Sequence, residues 1–244
     1  MACLSLLGCQ TAFDRSGAIT AKATPNEEAA KEAEPARVAP PAAEEKTPDA
    51  KDERNLTLAA IYLDQGQDAR ACAQLEIYLG KHPEHAGARY YHAELLFRQK
   101  RNAEAKTEFA AAVAALQDER FLDVRKLIHC HGRLADIAAL EDDDFALQLQ
   151  RGIALFWLSQ MPAACADEEE QAPVEGLLCK AVGALTQAHE LEPEDARACW
   201  YLHTAWRKLG QDPPARRFLT LAQAHAPFSY LTPAEHRDLC LAAH

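Results

Sequence analysis

The chain has 244 residues, 48% of them hydrophobic, and a formal net charge of −11. That acidic balance argues against general nucleic-acid binding, which needs clustered cations to displace counterions. The two dense basic spots, Phe97–Arg101 and Ala215–Arg217, read as solvated helix ends. No segment approaches the length of a membrane-spanning helix, so membrane association would need an anchor.

Residues 1–10, MACLSLLGCQ, are apolar up to Cys9. The stretch LLGC resembles the bacterial lipobox, in which a cysteine is diacylated after cleavage just before it. Here the cut would fall between Gly8 and Cys9, making Cys9 the lipid-attachment residue. None of the eight preceding residues is Lys or Arg, whereas a secretory signal normally starts basic. A start further upstream is one reading of this; an accidental match on a cytoplasmic protein is the other. Residues 11–53 are mostly Ala, Pro, Glu and Lys, with no aromatic after Phe13. They offer too little apolar surface to offset the entropy of ordering, so a disordered linker is expected, of the kind a tethered protein would carry.

A helical region is expected over 54–244. In its first part Ala59, Tyr62, Ala71, Leu75 and Tyr78 recur thirty-four residues later as Ala93, Leu96, Ala105, Phe109 and Ala112. Small residues suit the points where helices cross closely, and large ones fill the gaps between them. Helices are predicted near 86–99 and 102–116, then near 121–140, 144–160 and 174–191. From the phase of Ala93 to that of His203 is 110 residues, three repeats plus eight. That length could hold one helix more than the five predicted. The missing one falls at residues 161–173, bounded by Pro162 and Pro173 and carrying Asp167, Glu168, Glu169 and Glu170. A loop is expected there, either a neutral surface insertion or a partner-binding element. Glu141–Asp144, EDDD, reads as an inter-helix turn with a strong N-cap. It lacks the alternating oxygen ligands and central glycine of a calcium loop.

Further on, Ala181, Leu185, Ala188 and Pro193 recur at the same offset as Ala215, Leu219, Ala222 and Pro227. Pro193 stops one helix and Asp195 is placed to cap the next, whose apolar positions include Trp200, Leu202 and Trp206 and which ends at Gly210. Asp212 is expected to cap the following helix, with Pro213 in its first turn. Thr232 and Glu235 form an S/T-x-x-E capping box with Pro233 at the first helical position. A final helix over 233–243 is therefore predicted, covering the apolar face of Phe218, Leu219 and Ala222.

The best single copy of the repeat runs through Leu58, Ala59, Tyr62, Gly66, Ala71, Leu75, Tyr78 and Pro83. A weaker one has Leu202, Trp206, Gly210, Ala215, Leu219 and Pro227, with His203 where small residues are usual. Over residues 53–117 and 176–227 this pattern resembles the tetratricopeptide repeat (TPR) family. The resemblance implies an all-α, right-handed superhelical array of about ten antiparallel helices. It also implies that the first helix of each pair lines a concave groove holding a peptide or partner helix. By alignment the lining would be Leu56, Ala60 and Leu63, then Tyr90, Glu94 and Phe97, then Trp200, Thr204 and Arg207. Some members clamp a C-terminal carboxylate with Lys and Asn. Leu56 and Ala60 occupy the first two such places, so that clamp is not expected.

The eight cysteines include no CxxC pair and mostly suit small buried hydrophobes. His129, Cys130 and His131 are consecutive, so on a helix they cannot converge on one ion; His131 falls on an apolar stripe and reads as a packed, hydrogen-bonded histidine. Nucleotide-binding, nucleophile-elbow and HExxH motifs are missing, so no enzyme activity, cofactor or metal is expected. The function read from the sequence is a protein–protein interaction scaffold, lipid-anchored in a bacterial cell envelope and periplasm-facing in a Gram-negative host. The alternatives are a structural subunit of an envelope or secretion assembly, or a cytoplasmic TPR adaptor.

Overall fold

Helices follow one another with no strand among the described residues, which in this computed structural model are 50–118, 122–161 and 174–242, with side chains from Glu53 onward. They are α1 (Ala50–Asp64), α2 (Asp68–Leu79), α3 (Ala86–Arg98), α4 (Asn102–Asp118), α5 (Val124–Leu140), α6 (Asp144–Leu158), α7 (Val174–Leu191), α8 (Ala196–Lys208), α9 (Asp212–His225) and α10 (Pro233–Leu241). The lipobox-like segment with Cys9, the linker before residue 50 and positions 162–173 of the acidic loop lie outside the described residues.

Local chemistry sets the helix starts. Side-chain oxygens of Asp123, Asp143 and Asp195 each accept the N–H three residues on, and His85 Nδ1 does the same for Ala88. A cap of this kind stabilises a helix by about 1 kcal/mol. Thr232 and Glu235 make both halves of the capping box. Two starts differ from the sequence reading. α1 already covers Ala50–Glu53, which the sequence reading gave to the linker, because these residues are helix formers that need no apolar anchor until Leu56. Asp212 is not the cap of α9 but its first residue. The cap is Gln211, whose carbonyl accepts the Ala215 N–H, and Pro213 and Pro214 offer Asp212 no N–H to bind.

Short turns make α1–α2, α3–α4, α5–α6 and α8–α9 antiparallel pairs, stacked in order as in a TPR-like solenoid. The small residues of the repeat mark the crossings: Ala71, Ala105, Ala181 and Ala215 are all buried. The phase slip in the middle has a structural counterpart. α6 packs on α5 and on α7 as extensively as partners within a pair do, so one helix serves two pairings. Gly152 permits this, since a Cβ there would lie 2.6 Å from Leu185 Cγ on α7.

The array holds two apolar cores. The first spans α1–α5, around Leu75, Leu96, Phe109, Leu116 and Leu127; the second spans α6–α10, around Ile153, Leu185, Leu202 and Leu239. Trp157 packs against both. At the α5–α6 seam buried His131 meets Gln150 Oε1 at 2.7 Å through Nδ1. That is the packed, hydrogen-bonded histidine expected from the stripe. Among the described cysteines Cys72, Cys130 and Cys199 are buried, Cys179 and Cys240 exposed, and none is bridged.

The terminal helix does more than lie on the face of Phe218, Leu219 and Ala222. Leu239 does join the core that contains Ala222, and Phe218 and Leu219 are half-buried against it. α10 also reaches back across the array to α4, where Thr232 Oγ1 donates to Gln117 Oε1 at 2.6 Å and Arg237 pairs with Asp118.

Candidate functional site

The residues aligned with a groove fall into two clusters. In the first, Tyr90, Glu94 and Phe97 on α3 meet α5. Arg133 donates to both Glu94 carboxylate oxygens, at 3.0 and 3.1 Å, and its guanidinium lies 4.8 Å from the Phe97 ring centroid. Tyr90 and His129 pack edge to face with centroids 5.4 Å apart. Burial, with Cys130 and Glu94 adding to it, pushes the Tyr90 phenol up to about 12, so it stays a hydrogen-bond donor. Burial also holds His129 below its ordinary value, hence neutral at pH 7. Leu56 and Leu63 pack on the edge of the first core, while Ala60 is exposed.

His129 and Arg133 were not read from the sequence as neighbours of Tyr90, Glu94 and Phe97. Glu94 and Arg133 are separated by 39 residues, not thirty-four, because α4 runs to Asp118. Continuing the period past residue 117 points to the wrong face of α5. A phase shifted by five would have placed Arg133 opposite Glu94.

In the second cluster, Trp200 and Thr204 on α8 line a cavity of about 360 Å³. Phe156 and Trp157 of α6 and Tyr201 and Lys208 of α8 supply its walls, and Glu235 and Arg237 of α10 close one side. Arg207 is exposed and does not line it. The side formed by α10 is fixed by a buried polar network. Glu235 Oε1 accepts from Tyr201 at 2.8 Å and Arg197 at 3.0 Å; Oε2 accepts the Thr232 N–H at 2.9 Å. Gln117 Nε2 in turn donates to the Tyr201 hydroxyl at 3.3 Å. Burial alone would raise the Glu235 carboxyl, but the Arg197 guanidinium and the two donors outweigh it and hold the pKa below its ordinary value. Burial and the nearby Glu235 charge push Tyr201 well up. The cavity thus has a wall of fixed charge and an aromatic interior.

The capping box was legible in the sequence, but a capping glutamate usually faces solvent. Here its partner, Arg197, lies 38 residues away, and no local pattern announces that.

No protein-family model and no curated protein matches the chain. Among solved structures it is similar to YrrB, described as a TPR protein with an unusual peptide-binding site, at 18% identity over 80% of this chain and 93% of that one, TM-score 0.36. TTC0263, a thermophilic TPR protein in Thermus thermophilus, gives 19% identity over 78% and 96%, TM-score 0.36. PilW, a widely conserved type IV pilus biogenesis factor, gives 17% over 75% and 81%, TM-score 0.31.

Proposed function

We propose that the protein is a non-catalytic interaction scaffold whose inner helix faces hold a peptide or partner helix, and that Cys9 tethers it to a bacterial membrane. The observation that carries the binding reading is the cavity at Trp200. It falls in the size range of ligand-binding clefts, and aromatic walls beside a few charges are what anchor a large apolar side chain of a partner.

The test is site-specific photo-crosslinking in cells with the full chain. A crosslinker at Thr204 should capture a partner, whereas one at Ile77, exposed on α2, should not. Thr204→Arg, which fills the cavity mouth, should cut the capture tenfold or more with an unchanged melting temperature. Equal capture from both positions would sink the reading. A stable oligomer crosslinked only to its own copies would favour the structural-subunit alternative. For the tether, Cys9→Ser should move the protein from the membrane to the soluble fraction.

A further inference from the structure

Away from both groove clusters, α2 and α3 bring together a thiol, an imidazole and two carboxylates. Cys72 and Glu76 stand one turn apart on the same face of α2, and His92 faces them from α3. Cys72 Sγ lies 3.7 Å from Glu76 Oε1, and His92 Nε2 lies 3.7 Å from that same oxygen. One ligand atom from each residue falls within 4.8 Å of the other two. Tetrahedral bonds of about 2.1–2.3 Å set ligand atoms roughly 3.4–3.6 Å apart, so small side-chain rotations close this triangle on one ion.

Two further features point the same way. His92 is only 8% exposed, yet neither ring nitrogen has a hydrogen bond of normal length. Its nearest polar partners, Glu76 and Glu108, stand beyond hydrogen-bond distance. Behind the imidazole, Nδ1 faces Glu108 at 3.8 Å, and Arg89 holds Glu108 at 2.8 Å. A carboxylate behind a histidine is the arrangement that fixes ring orientation and tautomer for metal binding through the other nitrogen. Cys72 is buried while the Glu76 side chain is half-exposed, which leaves a path from solvent and an open coordination position on that side.

We infer that Cys72, Glu76 and His92 bind a single divalent transition-metal ion through Sγ, a carboxylate oxygen and Nε2, with Glu108 positioning the histidine. The thiolate, imidazole and carboxylate set suits zinc, and water completes the fourth position. Such an ion would staple the first helix pair to the second.

The test uses the full chain, reduced, stripped with a chelator and titrated with Co²⁺ and then Zn²⁺. One equivalent of Co²⁺ should produce a thiolate-to-cobalt charge-transfer band and the visible bands of a four-coordinate site, both abolished by Zn²⁺. Zinc should raise the melting temperature by several degrees. Cys72→Ser should lose the charge-transfer band, and Glu76→Gln, on an exposed side chain, should weaken binding tenfold or more. Cys240, 3.8 Å from His236 on α10, is the control: Cys240→Ser should change nothing. Should Cys72→Ser fail to fold, alkylation of wild-type Cys72 reads the same claim, since zinc should protect it. No band in the wild type, a band that survives Cys72→Ser, or unaltered alkylation would overturn the site and leave a buried imidazole–carboxylate cluster.

Discussion

The two halves of the array are built by the same local rules and present contrasting side-chain clusters. In the N-terminal half the thirty-four-residue period holds through α1–α4, and the inner side chains pair sideways between α3 and α5. Glu94 and Arg133 keep part of their surface in water. In the C-terminal half α6 is shared between two pairings, and α10 folds across the face that α8 would otherwise present. The charged pair there, Arg197 with Glu235, is 10% and 3% exposed. The difference comes from register, not composition. With α6 engaged by both α5 and α7, the aromatic side chains of α6 and α8 form a cavity, and the chain's own terminal helix closes one side of it.

The largest expected effect is at that buried pair. Removing one member strands an uncompensated charge, so Glu235→Ala should cost about 3–5 kcal/mol, read as a lower denaturation midpoint. Glu94→Ala removes a partly solvated partner of Arg133 and should cost about 1 kcal/mol. Equal losses would break the comparison, because they would mean that the C-terminal network is no more buried in energetic terms than the N-terminal one. Replacing Arg197 and Glu235 together by apolar residues should recover most of the loss. Deleting 231–244 should likewise lower the melting temperature, since it leaves Arg197 and Tyr201 facing the cavity without Glu235.

The seam between the halves answers to pH. Burial lowers His131 to about 4, with the Arg197 charge adding to the effect while Gln150 and Glu235 oppose it. The folded state therefore resists a proton that the unfolded chain accepts near 6.5. Stability from the neutral imidazole is complete above about pH 6.5 and is lost as pH falls toward 4, by at most on the order of 3 kcal/mol. Glu235 acts lower: its depressed pKa stabilises above the ordinary glutamate value, and that contribution is lost as pH drops through the folded value. In His131→Gln the decline beginning near pH 6.5 should flatten while the steeper acid limb remains. An unchanged profile would show that the seam does not titrate with folding.

What the sequence made legible was whatever is local or strictly periodic. Asp195 and Thr232 could be read as caps, and a cap could be read within Glu141–Asp144, because a cap and its N–H lie three residues apart. Ala71 and Ala105 could be read as crossings, because their burial repeats with the period. The sharing of α6 was invisible, since Gly152 matches no repeat position and its meaning depends on Leu185 of another helix. The cluster between α3 and α5 was half legible for the same reason. Tyr90, Glu94 and Phe97 follow the period, whereas Arg133 lies beyond the slip, and the contact of α10 with α4 spans 115 residues at Thr232–Gln117.

That sharing can be probed with one methyl group. Gly152→Ala would set a Cβ 2.6 Å from Leu185 Cγ and 3.2 Å from the Leu185 backbone nitrogen. Leu185 is fully buried and cannot swing away. Overpacking of this kind should cost about 1–3 kcal/mol, measured by chemical denaturation. A neutral result would show that α6 and α7 separate easily and that the second pairing is loose.

The smallest effect sharpens what the halves share. Among the described residues four take the left-handed conformation that ends the first helix of a pair: Gly66 (φ 67°) and Lys100 (φ 64°) in the N-terminal half, Asp142 (φ 54°) at the seam and Gly210 (φ 71°) in the C-terminal half. A Cβ at Gly66 or Gly210 would meet nothing within 4 Å, so the cost of a side chain there is conformational and not steric packing. Gly66→Ala and Gly210→Ala should each destabilise by about 1–2 kcal/mol. The reverse change relieves the same strain but loosens the unfolded chain, so Lys100→Gly should gain no more than about 1 kcal/mol. Asp142→Gly should gain less, because aspartate tolerates this conformation better than lysine. If Lys100→Gly destabilised instead, the lysine side chain would be contributing contacts across the turn, and the four turns would not be equivalent.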